Sequence, residues 1–253
     1  AISGLYARAA AELPNIRLRG LQMHIGSQLT SISPFVEAVD KVIPLVQELK
    51  AKHGIEFWSI GGGIGIIYKD SLESGSVDWW MAQPESERPL TIERYGKELV
   101  PRLKDLGLKI LLEPGRYIVG NAGVLITKCL YEKKGSAKTF KIVDAGMHDL
   151  IRPALYEGHH EIVPLEVPTT QDRLKVDVVG PICESGDFFC QDRELPDFNP
   201  GDYVALMSAG AYGFVMASNY NSRPLPAELL VEGDTTTVIR KRQTLEDLIE
   251  GEL

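Results

Sequence analysis

The strongest constraint on this chain is a change of texture part-way along it. Up to about residue 118, short apolar segments alternate with longer stretches of helical period, whereas beyond it β-rich runs follow one another with turns between them. The strand-like segments of the first part are RGLQMHIG, FWSIGGG and KILLEPG. Between the first two, Ser33 reads as an N-cap with Pro34 at the first helical position, and Val36, Val39, Ile43 and Val46 recur at helical spacing until Gly54 stops the pattern. Pro44 is expected to kink this helix. Between the second and third, Thr91 opens a helix with Ile92, Tyr95, Leu99, Leu103 and Leu106 on one face, ended by Gly107. Such alternation folds into parallel strands covered by helices. Three strands are too few to close an eight-stranded barrel, which takes ~250 residues. Either the sheet is open or the chain starts part-way round a barrel, and LYARAAAEL, which reads as a helix with no cap before it, favours the second.

Beyond Val119 the β-rich runs are AGVLITKCLYEK, KTFKIVDAG, HEIVPLEV, LKVDVVGPIC, GDYVALMSAG and AELLVEGDTTTVIRKR, separated by turn signals such as Lys134-Gly135, Pro200-Gly201 and Glu232-Gly233-Asp234. The expected fold class is therefore α/β plus all-β. Residues 1–118 form the C-terminal part of a TIM-type (β/α)8 barrel, and residues 119–253 a β-sandwich or Greek-key barrel domain. TLEDLIEGEL at the end reads as a short amphipathic tail.

Charge narrows the partners. The formal charge is −8, with 35 acidic and 27 basic residues and no basic run, which argues against nucleic acid or an anionic membrane surface and for a small molecule. No apolar run reaches the ~18 residues of a membrane-spanning helix. Cys129, Cys183 and Cys190 lack CxxC or zinc-ligand spacing, so no disulfide framework and no metal is expected, and a reducing cytoplasm fits.

The chemistry-bearing residues lie where strands end. Gly61, Gly62 and Gly63 follow a strand directly; three bare peptide units suit an anion such as phosphate, and equally a tight turn needing positive φ. Glu113-Pro114-Gly115-Arg116 follows the next strand, as a rim carboxylate with a cation or as a plain ion pair. His24 ends the first strand, with Ser27 three residues on. In the β-rich part DLIRPALYEG sets Arg152 and Tyr156 at i and i+4, CESGD runs from Cys183 through Glu184 and Ser185 to Asp187, and SAGAYG holds Tyr212.

Taken in order, HIGSQ, GGGIG, EPGR, DLIRPALY, GPICESGD, SAGAYG and NYNSRP resemble the diaminopimelate decarboxylase family, among the alanine-racemase-like, fold-type-III pyridoxal-phosphate enzymes, over essentially the whole chain. The resemblance implies decarboxylation of meso-2,6-diaminopimelate to L-lysine with pyridoxal 5'-phosphate as cofactor. It implies that Glu113 faces the pyridine nitrogen and His24 stacks on the ring. Gly61, Gly62, Gly63, Gly115 and Ser27 would surround the phosphate with Arg116 beside them, and Tyr212 would close the site. Arg116, Arg152 and Tyr156 would take the distal carboxylate of the substrate and Glu184 its ammonium, with Ser185 and Tyr212 alongside. Cys183 would return a proton to the reacting carbon. In this family the CESGD segment enters from a second subunit, so a homodimer with a shared active site is implied.

One departure matters. The family's Schiff-base lysine lies in a YAxKAN-like segment, and none occurs here, since Lys41, Lys50, Lys52 and Lys69 stand in unlike contexts. The expectation is the C-terminal portion of a longer enzyme, inactive without that segment. Rival readings are an ornithine, arginine or carboxynorspermidine decarboxylase of the same fold, and a catalytically silent regulatory relative. Ornithine has no distal carboxylate for Arg116, Arg152 and Tyr156 to hold.

Overall fold

The computed structural model describes residues 2–85, 87–166 and 172–252; Val167, at the end of the HEIVPLEV run, lies outside them. Two compact units are present: Ala1–Ile67 with Ser74–Ile118, and Tyr68–Glu73 with Val119–Leu253. Residues 68–73 thus belong with the second unit although they interrupt the first. No helix among the described residues is long and apolar enough to cross a membrane.

The first unit runs α1 (Ile2–Glu12), β1 (Gly20–Gln22), α2 (Ser33–His53), β2 (Phe57–Ser59), α3 (Val77–Ala82), α4 (Ile92–Leu103) and β3 (Lys109–Leu111), followed by a short helix α5 (Gly115–Val119). The strands form a parallel sheet in the order β1-β2-β3, with Leu21, Trp58 and Ile110 in register. Trp58 is fully buried on the central strand, under Phe35, Val39, Val46 and Leu49 of α2 and Tyr95, Leu99 and Leu103 of α4. Phe35 and Tyr95 meet edge to face at 5.1 Å.

Several local details differ from the sequence expectation. The α2 N-cap is Ile32, without a side-chain cap bond, so Ser33 is already helical and Pro34 sits in the first turn. Pro44 lies inside the helix, and the left-handed φ of 62° at Gly54 stops it where the sequence places the stop. Its deepest stripe is Phe35, Val39, Val46 and Leu49, with Val36 and Ile43 packed at the margin. Thr91 caps α4 as expected, accepting the Arg94 N–H at 3.3 Å, whereas Ile92 is exposed. KILLEPG is not a buried strand: Ile110 and Leu111 are half-buried and Leu112 is exposed, because β3 is an edge of the sheet. Beside that edge an apolar groove of about 420 Å³ is lined by Ile92, Tyr95, Leu99, Val100, Ile110 and Leu112.

The second unit runs β4 (Leu125–Lys134), β5 (Thr139–Val143), α6 (Arg152–Tyr156), β6 (Ile162–Pro164), β7 (Arg173–Val179), β8 (Phe188–Pro196), β9 (Tyr203–Leu206), β10 (Glu228–Glu232), β11 (Thr235–Arg240) and α7 (Leu245–Leu248). Six strands make one mixed sheet in the order β6-β9-β4-β5-β7-β8. The β5–β7 pair is parallel because α6 and β6 form the crossover between them, and the other pairs are antiparallel. Edge strands β6 and β8 approach each other, so the sheet is nearly closed. This is a single curling sheet with a separate hairpin, β10–β11, rather than two facing sheets. Cys129, Val143, Val178, Phe189, Phe198, Val204 and Leu206 fill its core. All three cysteines are free thiols; Cys129 and Cys190 are buried and Cys183 is exposed.

Lys141 on β5 is the most unusual core residue, with 1% of its surface exposed. Its ammonium donates to Glu132 Oε2 at 2.5 Å, to Asp197 Oδ1 at 2.9 Å and to the Phe198 carbonyl. Burial pulls its pKa down, and the two carboxylates outweigh burial, leaving it above the ordinary lysine value. Lys141→Met should therefore cost about 3 kcal/mol of unfolding free energy, because it removes the cation two carboxylates are built around. Urea unfolding at pH 7 checks this. A loss under about 1 kcal/mol would show that the pair contributes no more than a surface ion pair.

Candidate active site

The first unit gathers its sequence-predicted residues at one end of the parallel sheet. The ladder continues past the strand ends: Met23 N–H donates to the Ser59 carbonyl at 3.0 Å and Glu113 N–H to the Gly61 carbonyl at 2.9 Å. This brings the turns after β1, β2 and β3 side by side. A Cβ on Gly61 would lie 2.3 Å from the Met23 carbonyl oxygen, one on Gly62 2.1 Å from that of Glu113, and one on Gly63 2.3 Å from that of Gly26. Gly61 and Gly63 also hold positive φ, 77° and 96°. The triplet thus answers a packing demand whatever else it does.

Around this turn stand the polar groups. Glu113 is an exposed residue whose Oε1 accepts a 2.5 Å hydrogen bond from the buried Ser59 hydroxyl. That hydroxyl also accepts the Gly61 N–H at 3.2 Å. Gly62 N–H points at His24 Nδ1, 3.4 Å away, so the exposed imidazole is tethered to the glycine turn. Arg116 Nη2 donates to Ser27 Oγ at 2.9 Å, setting a cation and a hydroxyl together. Gly115 has open space where a side chain would be. A tethered carboxylate, an imidazole and a cation–hydroxyl pair form a donor set suited to a protonated ring nitrogen, a ring face and a phosphate. These residues fit pyridoxal phosphate. Ser59 was not singled out from the sequence; its place two residues before the triplet, on the same strand, is the signal that could have found it.

In the second unit Arg152 and Tyr156 lie one turn apart on α6. Tyr156 is exposed, but Arg152 is buried, its guanidinium 4.2 Å over the Tyr68 ring and its Nη1 2.7 Å from His160 Nε2. Cys183, Glu184 and Ser185 form an exposed loop between β7 and β8, with Tyr220 Oη donating to Glu184 at 3.4 Å. Asp187 anchors that loop from beneath: one carboxylate oxygen accepts Ile182 N–H at 2.6 Å and the other Met147 N–H at 2.7 Å. Burial raises the Asp187 pKa against the pull of those two bonds. A Cβ on Gly180 would come within 2.5 Å of the same carboxylate. Tyr212 is partly exposed and holds a left-handed φ of 58°, a conformation uncommon for a bulky side chain. Asp187 fell within the CESGD segment without a role assigned to it, and His160 and Tyr68 carried no sequence signal of their own, since the roles of all three arise from contacts across the fold.

Residues 30–210 match the family model described as pyridoxal-dependent decarboxylase, C-terminal sheet domain. The chain belongs to the pyridoxal-dependent decarboxylases. Among curated relatives, the diaminopimelate decarboxylase of Aquifex aeolicus is 46% identical over 251 residues, covering 96% of this chain and 54% of the relative. Among solved structures, the diaminopimelate decarboxylase of Helicobacter pylori complexed with L-lysine matches with a TM-score of 0.81 at 42% identity, over 95% of this chain and 56% of that one. That of M. jannaschii in co-complex with L-lysine matches with a TM-score of 0.86 at 35% identity, over 100% and 56%. The chain spans about half the length of the curated relatives it matches.

The glycines permit a direct check on which of them packing requires. Gly62→Ala should destabilise the protein by about 3 kcal/mol, since its methyl group meets the Glu113 carbonyl, whereas Gly115→Ala should stay within about 1 kcal/mol. Thermal and denaturant unfolding of the two variants measure this. Equal stabilities would show that the strand ends can part without cost.

Proposed function

We propose that this chain is part of a pyridoxal-5'-phosphate enzyme that decarboxylates meso-2,6-diaminopimelate to L-lysine. The observation that carries the reading is the Glu113 carboxylate, tethered by Ser59 beside the Gly61–Gly63 turn, His24 and the Arg116–Ser27 pair. The relatives named above are diaminopimelate decarboxylases, and two of their structures hold L-lysine, the product this reading requires. The parallel sheet is then an arc of a (β/α)8 barrel. Its exposed β3 edge and the adjoining apolar groove are what a neighbouring βα unit would cover.

When bound, the cofactor supplies an electron sink for the pair released as the Cα–carboxylate bond breaks. The chain's own residues do the rest. Glu113, fixed through one oxygen by Ser59, would keep a proton on the pyridine nitrogen, and His24 would lie against the ring. Arg116 and Ser27 would hold the phosphate with the glycine turn and Gly115. Arg152 and Tyr156 would bind the distal carboxylate, Glu184 the distal ammonium, and Ser185 and Tyr212 would line the substrate. The Cys183 thiol would deliver a proton to Cα after carbon dioxide leaves. In this reading the enzyme is a cytoplasmic homodimer whose Cys183 loop completes the active site of its neighbour.

The cofactor lysine of such enzymes lies in a YAxKAN-like segment, which this sequence does not contain. The chain by itself should therefore release no lysine from diaminopimelate, and joining it to such a segment should restore turnover. In that full enzyme Glu113→Gln should retain the cofactor and lose about 100-fold or more in kcat, because an amide cannot hold the ring nitrogen protonated. Unchanged turnover would remove Glu113 from the ring nitrogen.

The distal half of the substrate separates this reading from an ornithine-type decarboxylase. A site built to bind a second carboxylate leaves charged groups unpaired when the ligand lacks one, so ornithine and lysine should react at least ~1000-fold less efficiently. Parallel kcat/KM measurements on the three amino acids provide the check. A preference for ornithine would assign the chain to the rival decarboxylases.

A further inference from the structure

We propose that His160 is the positioning residue for Arg152, holding its guanidinium as a neutral imidazole that carries its proton on Nδ1. The inference rests on the reading of Arg152 as the group that binds the distal carboxylate.

The hydrogen-bond partners assign the tautomer. His160 Nδ1 lies 2.7 Å from the Met207 carbonyl oxygen, which can only accept, so Nδ1 bears the proton. Nε2 lies 2.7 Å from Arg152 Nη1, which can only donate, so Nε2 offers its lone pair. One neutral tautomer satisfies both contacts, and an imidazolium would set a second positive charge against the guanidinium. Burial, aided by the nearby Arg152, His159 and Arg193 charges, lowers the His160 pKa to about 4, which keeps the ring neutral at pH 7. No surface of His160 is exposed.

His160 is itself held through both its ring and its backbone. Tyr68 packs edge-on to it at 5.3 Å, and Arg193 Nη1 from β8 donates to the His160 carbonyl at 2.5 Å. The contacts of Arg152 include the Tyr68 face at 4.2 Å and the Nε2 lone pair of His160. A guanidinium binds a carboxylate through two parallel N–H bonds, which requires a set plane as well as a charge. A stack on a ring face sets the plane of the guanidinium. The bond to His160 fixes the direction of one N–H within that plane.

The test uses the full enzyme that contains this chain. His160→Asn keeps a donor for Met207 and deletes the acceptor for Arg152, whereas His160→Gln can offer an amide oxygen near the Nε2 position. His160→Asn should raise KM for diaminopimelate about tenfold with kcat changed less than about threefold, and His160→Gln should recover part of the loss. In an Arg152→Ala background, His160→Asn should add less than about twofold, because its effect passes through Arg152. Unchanged KM, or effects that multiply independently, would overturn the proposal and leave His160 a core residue only.

A second measurement separates this outcome from failure of the functional reading. In ¹⁵N NMR of the unliganded wild type at pH 7, His160 should show a protonated Nδ1 and a bare Nε2, and Arg152 a slowly exchanging guanidinium signal that His160→Asn abolishes. That result stands even if diaminopimelate proves not to be the substrate. A protonated Nε2, or a guanidinium signal unaffected by the substitution, overturns the positioning role, and the tautomer measurement needs no variant to fold.

Discussion

The close approach of the turn after β2 to both of its neighbours is the constraint on which the first unit's chemistry depends. Gly61, Gly62 and Gly63 each occupy a place where a methyl group would fall on a carbonyl oxygen of an adjacent turn. Because nothing is interposed, the ladder runs past the strand ends, and His24, Ser59 and Glu113 come within hydrogen-bonding reach of one bend. The glycines thus act first on the backbone. Any anion they help to hold benefits from a geometry that packing already requires.

The second unit solves a different problem, that of fixing irregular loops over a strongly curled sheet. It does so with buried charged and polar groups that each join a partner close in sequence to one at least 40 positions away. Asp187 ties the Cys183 loop to Met147, Lys141 gathers Glu132, Asp197 and Phe198, and His160 joins Arg152 to Met207. Each such group is costly to bury unless every partner is present, so the networks are sensitive to single substitutions. The exposed Cys183, Glu184 and Ser185 owe their placement to this hidden layer.

Periodic segments were legible because burial of one helix face or one strand suffices to define them. The α2 and α4 stripes, the Thr91 cap and the stops at Gly54 and Gly107 all depend on residues near one another in sequence. Strand β8 escaped notice for the opposite reason. Its FFCQDRELP sequence lacks alternation, and the break is a bulge at Asp192, where φ is 50° and the N–H is satisfied by Asp177 of β7 at 2.6 Å. The partial burial of Ile110 and the exposure of Leu112 were equally hidden, since an apolar strand carries no mark of whether a neighbour lies beyond it.

The sequence alone determined the alternation of β1, α2, β2, α4 and β3, the glycine turn after β2, the carboxylate after β3 and the family resemblance, because each is carried by residue type and spacing along one stretch of chain. Only the tertiary structure decided that Ser59 tethers Glu113, that Asp187 braces the Cys183 loop, and that Arg152 is buried between Tyr68 and His160. Those contacts join residues up to 84 positions apart, as Tyr68 and Arg152 are. Hydrogen bonding and stacking depend on distance and angle in space, and local sequence pattern encodes neither.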